Sequence, residues 1–262
     1  MASKDKILEF LESNKHTYIS GEAMAATLGL SRNAIWKAIN DLRKAGYEIE
    51  AVRNKGYRLA AGSDIISIQG ILAHLLNPAM VHPENIHIFE ELDSTNKKAK
   101  ELAIAGNEHG TLVLAKSQTL GKGRRDHNFY SPKGGIYMSV LLSPEKIPTL
   151  DKDALTTYTG NAVCDAIEEL CDVRPRIKPL NDLFIENRKI CGILTESGIE
   201  YETDLVQWLV IGIGINFDSD VSKFPRDLQD IVGSLYAPGQ AEITKNQLIA
   251  RIYEKLLAWS KS

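Results

Sequence analysis

The stretch Ser31-Arg32-Asn33-Ala34-Ile35-Trp36-Lys37-Ala38-Ile39-Asn40-Asp41-Leu42-Arg43-Lys44-Ala45-Gly46 reads as one helix with two unlike sides. Ser31 stands where an N-cap oxygen is needed. Ala34, Ile35, Ala38, Ile39 and Leu42 recur as one apolar stripe, and Gly46 supplies the residue that ends it. The opposite side carries Arg32, Asn33, Lys37, Asn40 and Lys44. Long donors at a helix start and along its exposed side suit the phosphates and base edges of a DNA major groove, with Ser31 at the entry. Upstream, Ile7, Leu8 and Leu11 mark a helix within residues 4–13, and a second short helix runs through Met24 and Leu28 to a stop at Gly29. Downstream, residues 47–52 and 56–59 alternate as two strands around a turn whose Arg53 and Lys55 can reach a neighbouring phosphate backbone. Trp36 either touches nucleic acid or packs under those strands, and packing is the expectation.

Helix, tight turn, helix and basic hairpin in that order resemble a winged helix-turn-helix of the biotin-repressor type, and the resemblance covers residues 1–62. That segment holds ten Lys or Arg against seven Asp or Glu, about +3, which leaves about −6 of the net −3 for the rest of the chain. The two parts therefore have different partners. A charge of +3 on one small module is a weak footprint, so sequence-specific binding calls for a dimer on two half-sites. The junction falls in Ala60-Ala61-Gly62-Ser63, which divides the 262 residues into 1–62 and 63–262.

Composition excludes several classes. With 44% hydrophobic and 25% charged residues the chain is neither disordered nor collagenous. It has no apolar run of membrane-spanning length and no apolar leader, so a cytoplasmic location without membrane contact is expected. Cys164, Cys171 and Cys191 are an odd number without close spacing, which rules out a disulfide scaffold or zinc finger and predicts buried thiols.

Beyond Ser63, helix-like stretches (65–76, 95–105, 151–171, 244–259) alternate with β-rich runs (111–115, 136–142, 189–195, 205–213). The fold class is α+β: the N-terminal module followed by a mixed α/β domain with one sheet. Chemistry is expected in the loops. Asp93-Ser94-Thr95-Asn96 opens a helix with hydroxyl and amide groups. Gln118 to Pro132 is a glycine-punctuated basic loop whose Gly121 and Gly123 allow close backbone approach while Lys122 and Arg124 neutralise an anion. Lys178-Pro179-Leu180-Asn181-Asp182 and then Lys189 to Gly192 offer a carboxylate for Mg²⁺ and an ammonium for phosphate. Gly212-Ile213-Gly214-Ile215-Asn216 ends a buried strand with an amide. Each loop alone reads equally as a capped helix, a solvated basic hairpin or ordinary turn chemistry. No dinucleotide fingerprint and no P-loop occurs.

The order and spacing of these motifs resemble the biotin protein ligases of the bifunctional ligase-repressor kind, from about Lys4 to the end of the chain. The resemblance implies a class II synthetase-like domain of the biotin/lipoyl ligase type, without the family's small C-terminal SH3-like barrel. It implies biotin and ATP as substrates with Mg²⁺, biotinyl-5′-AMP as intermediate, a biotin carboxyl carrier domain as acceptor, operator DNA as the second partner, and a ligand-dependent homodimer. By the same resemblance Ser94, Thr95, Asn96 and Gln118 hold biotin. Gly121, Lys122, Gly123 and Arg124 close over it, with Lys178, Asn181 and Gly192 completing the site. Lys189 meets the reacting carboxylate and α-phosphate, Asp182 meets Mg²⁺ or nucleotide, and Asn216 the adenine end. The implied catalytic set is Lys189, Arg124 and Asp182.

The pattern departs from the family's in three places. Lys122 replaces an Arg, Phe129 stands at a Trp position, and Pro179-Leu180 stands where the family has Trp-Pro or Trp-Val, losing an aromatic wall beside the ligand. Two further readings follow: a biotin- or adenylate-responsive repressor with weak or no ligase activity, and lipoate or octanoyl transfer on the related fold.

Overall fold

The apolar stripe of residues 35–42 packs as its spacing predicts, with Ile35, Ala38, Ile39 and Leu42 all buried. In the computed structural model of the chain, residues 2–15, 17–60, 62–124, 127–178, 182–199, 202–203 and 205–259 are described. They form two compact units, one running to Leu76 with Lys245–Ala250 added, the other Asn77–Thr244 with the residues from Arg251 onward.

The first unit contains α1 (Ser3–Ser13), α2 (Gly21–Leu28), α3 (Arg32–Lys44), β1 (Ile49–Val52), β2 (Gly56–Leu59) and α4 (Ile68–Ala73). Ser20 and Ser31 cap α2 and α3 by accepting from Ala23 N at 3.0 Å and Ala34 N at 3.1 Å. Gly29 ends α2 in the left-handed conformation at φ +65°, where a side chain is strained. Between α2 and α3 there is room only for the tight turn of a helix-turn-helix. β1 and β2 pair antiparallel from Ile49↔Leu59 to Val52↔Gly56, and β2 is tied on its other side by two hydrogen bonds of 2.9 Å between Ile19 and Tyr57. The unit reaches past the 60–63 stretch because α4 packs on α1. Asp64 also holds Lys245 at 2.9 Å, and Asn246 accepts from Ser67 N at 3.1 Å.

The second unit is built on a seven-stranded sheet of order β3-β4-β5-β9-β8-β7-β6. Its strands are β3 (Ile86–Phe89), β4 (Leu112–Ala115), β5 (Gly135–Leu142), β6 (Arg176–Lys178), β7 (Asp182–Ile185), β8 (Arg188–Ile199) and β9 (Val206–Asn216). β3 and β4 are parallel and every other pair is antiparallel. All eight residues of β5 are buried, so both faces are covered there. α5 (Thr95–Ile104) packs Ala99 on Val113, Leu141 and Val210. α6 (Lys152–Cys171) meets Thr195 through Thr156 at 3.0 Å and brings Gly160 against Ile193. Val210 pairs with Glu196, the neighbour of Thr195. Since adjacent strand residues face opposite sides, α5 and α6 cover opposite faces. α7 (Arg226–Gln229) is a single turn, and α8 (Lys245–Ala258) closes the described chain.

β3, β6 and β7 are short strands absent from the β-rich runs of the sequence, and β7 falls in the stretch read there as a loop. One expectation is corrected here: Asp182 stands on a strand, β7, rather than in a loop, while Lys189 and Gly192 lie on a strand as their β-rich run predicts.

Candidate active site and nucleic-acid face

The face of the sheet beneath α5 presents Gly192 and Leu194 on β8 and Gly212 and Gly214 on β9, with Gly192 directly opposite Gly214. Three glycines here leave a floor of bare backbone. A Cβ on Gly212 would stand 2.1 Å from Asn96 Oδ1, on Gly192 2.9 Å from Phe129, and on Gly214 2.5 Å from the same ring. The floor therefore already carries two things, an amide and an aromatic ring. Phe129 arrives from the 118–132 loop, folded as a hairpin in which Gly123 N donates to His127 O at 2.7 Å and Phe129 N to Gly121 O at 2.8 Å. Tyr137 meets Phe129 edge-on, with ring centroids 6.4 Å apart.

Behind the floor runs a buried polar chain. Gln118 Nε2 donates to Ser131 Oγ at 2.9 Å, while Gln118 Oε1 accepts from Thr95 N at 2.8 Å and Thr95 Oγ1 at 3.1 Å. Ser139 Oγ lies 2.8 Å from Thr95 Oγ1 and donates to Asn96 Oδ1 at 2.6 Å. Asn96 Nδ2 donates to Glu196 Oε2 at 2.8 Å, and Lys100 reaches Glu196 Oε1 at 2.9 Å. Burial drives the Glu196 carboxyl upward, but the hydrogen bonds from Lys100 and Asn96 outweigh it and hold the group below its usual range. Both ends of the Asn96 amide are engaged by protein, so Asn96 frames the site through Thr95 and Ser139. Ser94 caps α5 by accepting from Lys97 N.

At the floor's edge Lys189 Nζ lies 2.7 Å from Asp182 Oδ1 and 5.7 Å from the centre of Phe129. The ion pair is close but poorly aligned, and Asp182 Oδ1 receives no hydrogen bond among the described residues. Lys189 is fixed through its backbone, donating to Ile231 O at 2.9 Å and accepting from Gly233 N at 2.8 Å. Asn216 Nδ2 donates to Gly233 O at 2.9 Å, whereas its buried Oδ1 has no donor among the described residues. The segment after β9 thus borders the Lys189 side of the floor.

Thr95, Asn96, Gln118, Gly121, Lys189, Asp182 and Gly192 are brought together. Lys178 stands directly opposite Asp182 across β6 and β7, its ammonium 5.4 Å from the Phe184 ring. Lys122 is exposed on the hairpin and its charge helps to hold the Glu196 carboxyl down, whereas Arg124 points to Asp153 at 4.0 Å. Asn181 lies outside the described residues. Ser139 and Glu196 were missed by sequence reasoning. Their signals were a serine in a fully buried, largely apolar strand and a carboxylate at a floor-facing position of β8. Among the described residues no group of three or more His, Cys, Asp or Glu side chains is arranged to hold a metal ion, and no helix is long and apolar enough to cross a membrane.

In the first unit, Arg32, Asn33, Lys37 and Lys44 are exposed along α3, Asn40 is half-buried, and Arg53 and Lys55 are exposed at the hairpin turn. Arg32 also pairs with Glu22 at 2.8 Å, a fully solvated contact of little strength. The Ser31 hydroxyl is spent partly on its cap. Trp36 is not packed under the strands; it is 64% exposed.

A model described as HTH domain matches residues 4–58, and one described as Biotin/lipoate A/B protein ligase family matches residues 88–216. Bifunctional ligase/repressor BirA of Bacillus subtilis (strain 168) is 38% identical over 247 residues, 94% of this chain and 74% of that protein. The protein of the same name from Escherichia coli (strain K12) is 32% identical over 198 residues, 75% of this chain and 59% of its own. The solved biotin protein ligase from Aquifex aeolicus in complex with biotin and ATP superposes with a TM-score of 0.56 at 27% identity, covering 66% of this chain and 68% of that one. Fold and sites together define a protein ligase of the biotin/lipoate type preceded by a helix-turn-helix. The chain belongs to the family of bifunctional ligase/repressors.

Proposed function

We propose that this chain is an ATP-dependent biotin–protein ligase that also binds operator DNA as a repressor of biotin synthesis or uptake genes, acting in the cytoplasm. The observation that carries the enzymatic half is the Lys189 ammonium at the edge of a glycine floor on which a flat ring already lies. Such a place accepts a ring with an anionic tail, which is the shape of biotin. In the first step a biotin carboxylate oxygen bonds to the α-phosphorus of ATP as the bond to pyrophosphate breaks. In the second, the amine of a carrier lysine bonds to the acyl carbon, AMP leaves, and the amine loses a proton. Neither step needs a protein nucleophile, so catalysis consists of positioning and charge neutralisation.

Lys189 lowers the repulsion between carboxylate and phosphate. Thr95 and Gln118, already locked to each other, hold the ring end. Gly121 and Gly123 let the hairpin backbone approach, with Lys122 and Arg124 turning inward over the acyl phosphate, and Asn216 Oδ1 offers a buried acceptor to the nucleotide. Bound Mg²⁺ supplies neutralisation of phosphate charge. The residues fit it only in part: Asp182 is a single carboxylate whose Oδ1 faces the Lys189 ammonium at 2.7 Å, so most ligands must come from phosphate and water. Two half-sites on DNA call for a homodimer, formed when ligand orders the hairpin.

The test is to incubate the chain with labelled biotin, MgATP and a biotin carrier domain. Covalent label on the carrier is expected. Label retained only as free adenylate selects the adenylate-responsive repressor, and no adenylate at all rejects the ligase.

A further inference from the structure

Trp36 is not accounted for by the core of its own unit. It sits mid-helix between Ile35 and Ala38, both buried, yet it is 64% exposed and stands outside the apolar cluster formed by α1, α2, α3 and the hairpin. Residues three and four apart share a helix face, which puts Trp36 with Arg32, Asn33 and Asn40. A solvated face is served equally well by a polar residue, so the indole is there for something that covers it. The surroundings say what. Arg32, Lys37 and Lys44 flank it on the helix, and Arg53 and Lys55 are exposed on the β1–β2 turn of the same unit. The partner is therefore anionic at its rims and apolar at a point between them. A DNA major groove has that arrangement: phosphates line both edges, and the floor presents one apolar group, the 5-methyl of thymine.

We propose that Trp36 is a base-reading residue whose indole lies against a thymine methyl, so that one A·T pair in each half-site is specified by this side chain. The proposal rests on the DNA-binding reading above. Arg32 and Lys37 supply position through phosphates, Asn33 and Asn40 supply hydrogen bonds to base edges, and Trp36 supplies the apolar contact that those residues cannot make.

The full chain, with biotin and MgATP present, is used to select from a pool of randomised duplex DNA, in parallel with Trp36→Ala and Trp36→Phe. Wild type is expected to enrich a motif with a fixed thymine in each half-site. Trp36→Ala is expected to lose that thymine while keeping the rest of the motif, and Trp36→Phe to retain it. Replacing the thymine by deoxyuridine, which removes only the methyl group, should weaken wild-type binding about fourfold and leave Trp36→Ala unaffected. Retention of the rest of the motif by both variants shows that the first unit folds, and biotin-dependent ATP–pyrophosphate exchange, which the second unit carries, stays unchanged. An unaltered motif and an undiminished deoxyuridine penalty in Trp36→Ala overturn the proposal. So does a Trp36→Ala chain that loses only self-association, since the indole is then a contact between copies. A wild-type chain that enriches no motif removes the repressor reading itself.

Discussion

A Cβ placed on Gly214 would stand 2.5 Å from Cε1 of Phe129, so the ring lies on the bare backbone of β9. Gly214→Ala must therefore lift Phe129 from the floor, and the ring can move because it belongs to a hairpin held largely by its own backbone bonds. The added methyl also narrows the space for a ligand ring. The expected outcome is a folded protein whose Lys122 and Arg124 are cut faster by trypsin and whose biotin affinity falls at least tenfold, about 1.4 kcal/mol. Limited proteolysis and calorimetry check both, and wild-type behaviour in each would show that the floor is not a ligand surface.

Lys189 is half-buried with its charge against Asp182 at 2.7 Å, and its backbone is held by Ile231 and Gly233 whatever its side chain. Lys189→Ala should keep the fold and cut biotin-dependent ATP–pyrophosphate exchange by at least about tenfold, about 1.4 kcal/mol of transition-state stabilisation. Unchanged exchange would remove Lys189 from the site.

These residues also show what the sequence could and could not reveal. The α3 stripe, its Ser31 cap and the Gly29 stop were legible because each is a local rule with a local cause. Lys189 was legible on its strand, whereas Asp182 was legible as chemistry but read as a loop residue, since only pairing of β7 with β8 puts Asp182 opposite Gly192. The polar chain through Ser139 and Glu196 was hidden for a similar reason: it joins α5, β5 and β8, which lie 40 to 100 residues apart. Trp36 was expected to pack although helical spacing puts it with Arg32, Asn33 and Asn40 on the polar side of α3, where it is exposed.

Gly56 adopts φ +110°, and a Cβ there would stand 2.1 Å from the carbonyl oxygen of Ile19. A side chain is excluded twice, by backbone conformation and by the neighbouring strand segment. Gly56→Ala should break the Ile19–Tyr57 pairing, displace Arg53 and Lys55, and abolish binding to duplex DNA. ATP–pyrophosphate exchange, which depends on the second unit, should survive. Retained DNA affinity would show that the hairpin turn takes no part in binding.

Cys191 is fully buried and Cys164 is buried too, burial pushing the Cys164 thiol up to about 11 and Cys191 higher still, despite the Lys189 ammonium close to Cys191. Neither forms much thiolate near neutral pH. A thiol-specific chromogenic reagent at pH 8 should leave both unmodified in the native protein and modify them on denaturation. Rapid reaction of either in the folded state would contradict the packing around β8 and α6.

Glu196 predicts a pH signature of the polar chain. Although burial alone raises its pKa, the bonds from Lys100 and Asn96 prevail and hold it below the ordinary 4.5. A depressed folded-state value means that the ionised group adds stability above pH 4.5, and that this stability fades as pH falls through the folded value. Glu196→Gln discards the charge and weakens both bonds, which should cost about 1–3 kcal/mol at pH 7. As pH falls below 4.5 and through the folded-state value the wild-type carboxyl is protonated too, so the two proteins should converge there. Denaturant unfolding of both at pH 7 and at successively lower pH measures this, and a gap that never narrows would show that Glu196 is not held by charge.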